Sequence, residues 1–395
     1  MSTRPPVDDW ASDFDHLDPR WIEDPYPIWD ALRAQCPIAH TGRYRGVYFP
    51  SRFEDVRAVA YDTEHFSSRQ IMVRDTPPPR MPAPPITSDP PRHGPEKKLL
   101  LPAFTPDAIK RHEPRTRDIC RALIDRFAGR AGCDAAADYA QEIPVRVIAV
   151  MLGVPEEDGA LFRLWIHEIL ERGITDPAAA MRGLSASQRY FAAEMEKRRT
   201  APRDDLITHL ANAQIDGKPV DPDRLIAMMR LLLVAGIDTT WSAIGACFWH
   251  LAQHPEDRRR LVAEPQLIPT AVEELLRAYA PVTMAREVVK ETTVNGCPFK
   301  PGEMVLLSFP AANRDPAVFA DADRVVIDRR ENRHAAFGLG IHRCIGSNLA
   351  RMEIAVALQE WLPRIPDFRL DPNNAPRMRT GVNGSVEYLP LVWDV

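Results

Sequence analysis

One stretch near the C-terminal end of the sequence carries its strongest signal: FGLGIHRCIG, at Phe337–Gly346. Gly338 and Gly340 permit a tight turn that residues with a Cβ resist. Cys344 follows this turn and precedes a predicted helix over Ser347–Trp361. The N–H groups at a helix N-terminus stabilise a thiolate, so this cysteine is a candidate nucleophile or metal ligand. The alternative is an inert buried cysteine beside a glycine turn.

A long helix is predicted upstream of this stretch. Asp221 is its expected N-cap and Pro222 its first residue. The pattern continues without proline to Gln253, about 48 Å at 1.5 Å per residue. Because much of its circumference is apolar, we expect it to pass through the centre of the molecule. Strand patterns are confined mainly to residues 46–49, 288–294, 304–307 and the C-terminal tail. The sequence therefore predicts a mainly α fold with a smaller β part (α+β).

The composition is that of a soluble globular protein. The 395 residues carry a net charge of −5, which argues against a nucleic-acid partner. None of the six cysteines forms a CxxC pair, which argues against a zinc ribbon or an iron–sulfur cluster in this chain. The N-terminal segment has no apolar targeting region, and the longest apolar run, Leu231–Ile237, is too short to span a membrane. We expect a cytoplasmic protein without membrane contact.

The centre of the long helix contains the motif AGIDTT, at Ala235–Thr240. A threonine hydroxyl in a helix can bond to the carbonyl four residues earlier, which pairs Thr239 with Ala235 and loosens the local ladder. Gly236 leaves room for a group to lie against the backbone. The alternative is a simple helix kink with a solvated Asp238.

A third motif, ELLR at Glu274–Arg277, places an acid and a base three residues apart. Residues with this spacing share a helix face and can form an ion pair. The pattern is common in surface helices, so by itself it indicates little.

Together these segments resemble the cytochrome P450 superfamily. The Phe337–Gly346 stretch matches the haem-ligand pattern F-x-x-G-x-H/R-x-C-x-G at every fixed position. Ala235–Thr240 matches the oxygen-activation motif A/G-G-x-D/E-T-T, and Glu274–Arg277 matches E-x-x-R, in the order that the family requires. The resemblance runs from about Trp21 to the C-terminus. It implies a single domain over residues 1–395 with the P450 fold, in which haem lies between the long helix and the cysteine loop with its following helix. Residues 1–20 are expected to be irregular.

The resemblance implies a role for each motif. Cys344 would be the axial thiolate ligand of the iron of haem b. The residues expected to lie against the porphyrin are Phe337, Gly338, Ala235 and Gly236. Thr239 would donate a hydrogen bond during dioxygen activation, and Asp238 would gate proton delivery from solvent.

Two further sets of residues follow from the resemblance. Glu274 and Arg277 would be structural, with Arg329 as their expected partner. The candidate partners of the haem propionates are His93, Lys97, Arg286 and His342. The family usually has arginine at the position of Lys97, so the propionate contact there stays open, because lysine offers a point charge instead of a planar fork.

The implied function is that of a haem-thiolate monooxygenase, which inserts one atom of O₂ into a hydrophobic small molecule by hydroxylation or oxidative dealkylation. The chain has no dinucleotide fingerprint or ferredoxin cysteines, so we expect no flavin or iron–sulfur cluster in it. Electrons would come from a separate iron–sulfur ferredoxin and its NAD(P)H-dependent flavin reductase, docked near Arg343, Lys98 and Arg111. A monomer is expected. The alternatives are a peroxide-driven peroxygenase and a non-enzymatic haem-thiolate sensor.

The substrate pocket is predicted from helix phase and from motif positions. Its candidate residues are Met81, Ile86, Leu231, Val234, Val282, Met284 and Val382. All are apolar, which favours a hydrophobic substrate. Whether Arg74 or Arg80 anchors an acidic substrate is left open by the sequence.

Overall fold

The protein folds into a body of α-helices with a smaller β part beside it. The structure, a computed structural model, describes residues 4–74, 82–174, 176–379 and 385–394. The helices are α1 (Trp10–Asp13), α2 (Pro19–Glu23), α3 (Tyr26–Gln35), α4 (Phe53–Tyr61), α5 (His93–Leu100), α6 (Pro106–Lys110), α7 (Glu113–Ile124), α8 (Glu142–Leu152), α9 (Gly159–Ile166), α10 (Pro177–Thr200), α11 (Leu206–Ala211), α12 (Pro222–Gln253), α13 (Pro255–Ala263), α14 (Ile268–Ala278), α15 (Phe309–Ala312) and α16 (Ser347–Trp361). The strands are β1 (Ile38–Thr41), β2 (Val47–Pro50), β3 (Phe66–Ser67), β4 (Gly132–Asp134), β5 (Gln214–Ile215), β6 (Lys218–Pro219), β7 (Thr283–Val288), β8 (Thr292–Val294), β9 (Cys297–Phe299), β10 (Met304–Ser308), β11 (Phe368–Leu370), β12 (Arg377–Arg379), β13 (Ser385–Tyr388) and β14 (Pro390–Trp393). The mainly α prediction is confirmed.

The long helix has the bounds that the sequence predicted. The Asp221 side chain accepts a hydrogen bond from the Asp223 N–H, and Pro222 takes the first helical position. α12 packs against α8, α10 and α16. By length and composition it could cross a membrane, but 67% of its most apolar window is buried inside the protein. Its hydrophobicity is therefore that of a central core helix.

The largest sheet holds five strands in the order β1-β2-β10-β7-β3. β10 runs antiparallel to β7 and parallel to β2. Alternate residues of a strand face the same side, so Met284 and Arg286 of β7 share one face. The predicted strand over 288–294 is wrong as a single element, since β7 ends at Val288 and β8 begins at Thr292.

The N-terminal segment is more regular than the sequence predicted. Residues 10–13 form α1 and α2 begins at Pro19, so the expectation of an irregular segment over 1–20 is wrong for those residues. Phe14, between the two helices, is fully buried. Its ring lies 5.9 Å from that of Trp21 and 5.7 Å from that of Phe49. This aromatic contact attaches the segment to the sheet.

Candidate active site

The cysteine loop is closed by backbone geometry. Gly338 and Gly340 adopt φ values of +71° and +68°, in the left-handed region that glycine favours. A Cβ on Gly340 would overlap the carbonyl oxygen of Ala60, so α4 approaches the loop closely here. The Cys344 N–H donates to the Phe337 carbonyl at 2.7 Å. These contacts fix the cysteine shortly before α16 begins.

The Cys344 side chain lines an internal cavity, and its exposed surface faces that cavity. Burial raises the pKa of its thiol. The Gly346 N–H, through its hydrogen bond, and the nearby Lys97 ammonium both act to lower that pKa. The loop thus holds a sheltered sulfur close to positive charge.

The cavity lies between α12 and the cysteine loop, and most of its lining is apolar. α12 contributes Leu231, Leu232, Ala235, Gly236, Thr239, Thr240 and Ala243. The loop and α16 contribute Phe337, Gly338, Leu339, His342, Arg343, Cys344, Ile345, Gly346, Leu349, Ala350 and Ile354. Other elements contribute Pro85, Ile86, His93, Lys97, Leu100, Phe104, Ile148, Leu276, Pro281, Val282, Met284, Arg286, Phe309 and Ala336.

The α12 motif shows the predicted side-chain bond. Thr239 Oγ1 donates to the Ala235 carbonyl at 2.8 Å, and Ser242 Oγ donates to the Asp238 carbonyl at 2.7 Å. Gly236 lines the cavity, and a Cβ there would also lie 2.8 Å from Cδ1 of Ile148 on α8. This glycine therefore serves a helix–helix contact that the sequence did not reveal. Asp238 is buried and lies outside the cavity lining.

A polar edge of the cavity is formed by His93, Arg286 and His342, and Arg286 supplies its positive charge. Arg286 is 5% exposed, and one of its Nη atoms donates to the Ala285 carbonyl at 2.8 Å. Burial lowers the pKa of Arg286 to about 10. Burial and the charge of Arg286 lower the pKa of His342 to about 2, so this ring is neutral. Among the described residues, no carboxylate forms an ion pair with Arg286.

The two histidines are held in place by different partners. A hydrogen bond of 2.8 Å joins His342 Nε2 to Ser68 Oγ. The rings of His93 and His342 meet edge to face at 4.4 Å. Burial, with the nearby Lys97, lowers the pKa of His93. Both rings therefore lie at the cavity wall with little tendency to carry charge.

Glu274 and Arg277 are fully buried, with two hydrogen bonds of 2.8 Å between them. The predicted third partner is confirmed, because Arg329 Nε lies 2.9 Å from Glu274 Oε2. The sequence missed Asn332, whose amide also donates to Glu274 at 3.1 Å. Arg277 further donates to backbone carbonyls of the segment that leads to the cysteine loop, among them that of Asn313. The network ties α14 to that segment.

The predicted pocket residues divide into three groups. Those that line the cavity are Ile86, Leu231, Val282 and Met284. Val234 is wrong: it packs against the core instead, because five residues correspond to a rotation of about 140° from Thr239. Leu232, seven residues from Thr239, has the correct phase and was missed. Met81, Val382 and Arg80 lie outside the described residues. Arg74 is half-buried beside the Met72 sulfur.

The three predicted docking residues are all exposed: Arg343, Lys98 and Arg111. Lys97, the neighbour of Lys98, instead points inward to the cysteine loop. Its Nζ donates to the carbonyls of Ile341 and Arg343 at 2.6 and 2.9 Å.

Comparisons with known proteins agree with this arrangement. The family model for cytochrome P450 matches residues 180–383. The mycinamicin IV hydroxylase/epoxidase of Micromonospora griseorubida is 37% identical over 354 residues, 87% of this chain and 88% of that protein. The solved structure of the polyketide synthase cytochrome P450 PksS of Bacillus subtilis has a TM-score of 0.88 at 30% identity and covers 96% of this chain and 99% of that one. The solved structure of the LnmA hydroxylase of the leinamycin pathway of Streptomyces atroolivaceus has a TM-score of 0.83 at 34% identity and covers 93% of this chain and 96% of that one. The chain belongs to the cytochrome P450 family, whose members use haem and O₂, and is a P450 monooxygenase.

Proposed function

We propose that this protein is a soluble, cytoplasmic haem-thiolate monooxygenase that oxidises a hydrophobic small molecule by hydroxylation or oxidative dealkylation. The observation that carries the proposal is one cavity with the Cys344 sulfur in its lining and the Thr239 hydroxyl on the α12 side. A thiolate ligand on haem iron favours O–O cleavage, and a positioned hydroxyl can pass the protons that the cleavage consumes.

The cavity fits haem b in the chemistry of its donors. The apolar side chains of α12 and of the cysteine loop suit a flat porphyrin, and Cys344 offers one axial ligand. Arg286 is a buried cation without a carboxylate partner among the described residues, and His93 and His342 lie beside it. Two propionates would satisfy this edge. When bound, haem supplies the oxygen chemistry, and the protein supplies position and protons.

Thr239 is placed to pass a proton toward the cavity. Its hydroxyl has one proton, which it donates to the Ala235 carbonyl, and its lone pairs can accept a proton from water. To donate into the cavity, the hydroxyl must rotate away from Ala235. We assign Asp238, buried one residue earlier, to the control of proton entry from solvent.

The substrate is proposed to be an apolar organic molecule. The residues of this chain that face it are Ile86, Leu231, Leu232, Val282 and Met284, and apolar linings select apolar ligands. One relative is named for its action on mycinamicin IV, and another belongs to the leinamycin biosynthetic pathway. These names differ, so they support a natural-product-like substrate without identifying the compound.

Electrons are proposed to come from a ferredoxin and its reductase. The exposed cations Arg343, Lys98 and Arg111 would meet an acidic partner on the side of the cysteine loop. We expect the protein to act as a monomer.

The test is the absorption spectrum of the reduced protein with and without carbon monoxide. We expect a strongly red-shifted Soret band, lost in Cys344→Ser and kept in Cys297→Ser, which changes a half-buried cysteine of β9. A spectrum of the histidine-ligated type in the parent protein, or an unchanged spectrum in Cys344→Ser, refutes the proposal. If peroxide supports turnover and every ferredoxin that is tested fails to support it, the monooxygenase reaction is refuted in favour of a peroxygenase.

A further inference from the structure

Lys97 occupies an unusual position between α5 and the cysteine loop. Its Nζ donates to the carbonyl of Ile341 at 2.6 Å and to that of Arg343 at 2.9 Å. The second carbonyl belongs to the residue directly before Cys344. One ammonium thus spans the segment that carries the sulfur.

The base of this lysine is anchored. Glu96, the preceding residue, is 1% exposed and accepts a hydrogen bond from Ser88 Oγ at 2.5 Å. It also forms an ion pair with Arg224 in the first turn of α12. α5 is therefore fixed to the central helix at the point from which Lys97 extends.

On the side that Lys97 covers, two backbone carbonyls of the cysteine loop need a hydrogen-bond donor. Its inner closure uses N–H donors: that of Cys344 bonds to Phe337, and that of Gly338 bonds to Ala335 at 2.8 Å. The carbonyls of Ile341 and Arg343 have no N–H partner among the backbone bonds of the described residues. An ammonium has three donors, so it can satisfy both carbonyls and keep one donor free.

We propose that Lys97 is a positioning residue that clamps the cysteine-ligand loop, and that its charge stabilises the electron-rich reduced state of the metal centre. The proposal rests on Cys344 being the axial ligand. It assigns the two observed hydrogen bonds of Lys97 to the sulfur side of the site. Lys97 also lies in the cavity lining near His93 and His342. A donor that orients a ligand loop tunes both ligation and potential. Charge-assisted hydrogen bonds of this kind are the strong ones.

The experiment compares Lys97→Met with Lys98→Met in the haem-loaded protein. Both variants remove one positive charge from α5, but Lys98 is exposed. Three quantities are measured: the reduction potential by spectroelectrochemistry, the rate at which the reduced carbon monoxide complex loses its thiolate-type spectrum, and the rate of haem transfer to apomyoglobin. Lys97→Arg, which keeps the charge, serves as the second variant if Lys97→Met does not fold.

We expect Lys97→Met to shift the reduction potential to more negative values and to lose the thiolate-type spectrum at least roughly tenfold faster. Both charge-assisted hydrogen bonds are lost, and one alone corresponds to about this change. Lys98→Met should change neither the reduction potential nor the rate of spectral loss. Lys97→Arg, which keeps the charge, should have a reduction potential close to that of the parent protein. Faster haem transfer with unchanged ligation in Lys97→Met would indicate a propionate contact and refute the clamp. Equal behaviour of the two methionine variants would refute it as well. A parent protein without a thiolate-type spectrum would refute the proposed function, a result distinct from either.

Discussion

The two glycines of the cysteine loop offer a matched pair of substitutions. Both adopt a left-handed backbone, with φ values of +71° at Gly338 and +68° at Gly340. They differ in surroundings. A Cβ on Gly338 would make an ordinary contact of 3.6 Å with the Phe309 ring, whereas one on Gly340 would overlap the Ala60 carbonyl oxygen. Gly338→Ala therefore tests backbone strain alone, and Gly340→Ala tests strain together with a backbone collision.

The structure gives an expected magnitude for each variant. A non-glycine residue in the left-handed region costs about 1–2 kcal/mol. Overpacking against groups that cannot rotate away adds about 1–3 kcal/mol, and the Ala60 carbonyl belongs to α4, which cannot give way as a side chain does. Gly338→Ala should lose about 1–2 kcal/mol, and Gly340→Ala about 2–5 kcal/mol. For a chain of this length, each kcal/mol lowers Tm by roughly 1 °C.

Thermal unfolding of the haem-loaded proteins and the spectrum of the reduced carbon monoxide complex form the assay. We expect Gly340→Ala to have the lower Tm and to contain a fraction without thiolate ligation, because its loop must move away from α4. Gly338→Ala should keep its ligation. If Gly340→Ala is as stable and as well ligated as Gly338→Ala, the close approach of Ala60 does not fix the position of the cysteine loop.

Four other substitutions test separate parts of the structure. Glu274→Gln leaves two buried guanidinium groups without their carboxylate and should lower the free energy of unfolding, measured by chemical denaturation, by about 3–5 kcal/mol. The control, Glu256→Gln at an exposed ion pair, should lower it by less than about 1 kcal/mol. Glu353 is fully buried and has no hydrogen-bond partner among the residues that the structure describes, and burial raises the pKa of its carboxyl far above the usual value. The stability of the parent relative to Glu353→Gln should therefore fall as pH rises above about 4.3, and a pH-independent difference would contradict this. Thr239→Ala should keep the thiolate-type spectrum but release more hydrogen peroxide per NAD(P)H consumed, because the hydroxyl that moves protons is gone; coupled turnover would contradict that role. Arg286→Met should transfer haem to apomyoglobin faster than the parent protein, since a buried cation of the propionate edge is removed, and an equal rate would place the propionates elsewhere.

The sequence predicted what local chemistry determines. The bounds of α12 follow from Asp221 and from the absence of proline up to Gln253, and the Thr239–Ala235 bond follows from helix geometry. The Glu274–Arg277 pair is a contact between residues three positions apart on one helix. Such features need no knowledge of the tertiary structure, and the structure confirms each of them.

Most features that the sequence did not predict, or predicted wrongly, depend on contacts between distant parts of the chain. The contact of Gly340 with Ala60 joins residues 280 positions apart in the sequence, and no local pattern encodes it. The error at Val234 has a different origin. The helix was predicted correctly, but a residue five positions before Thr239 faces away from the side of the helix on which Thr239 lies. Within the segment expected to be irregular over 1–20, residues 10–13 and 19–20 are helical. Phe14 lies between these helices and is buried against Phe49, a partner on the sheet.

The position of the Lys97 side chain depends both on the local sequence and on contacts with distant parts of the chain. In the family pattern its position belongs to an arginine that faces a propionate, and the sequence alone offers no reason to change that interpretation beyond the shape of the side chain. In the structure α5 is fixed to α12 through Glu96 and Arg224, so the reach of the lysine ends at the carbonyls of Ile341 and Arg343. The ammonium bonds to both carbonyls as a compact point charge, whereas a guanidinium at this position would present a planar fork of donors. At this position the chain therefore directs a positive charge to the loop that carries the sulfur, in addition to the buried cation Arg286 in the cavity lining.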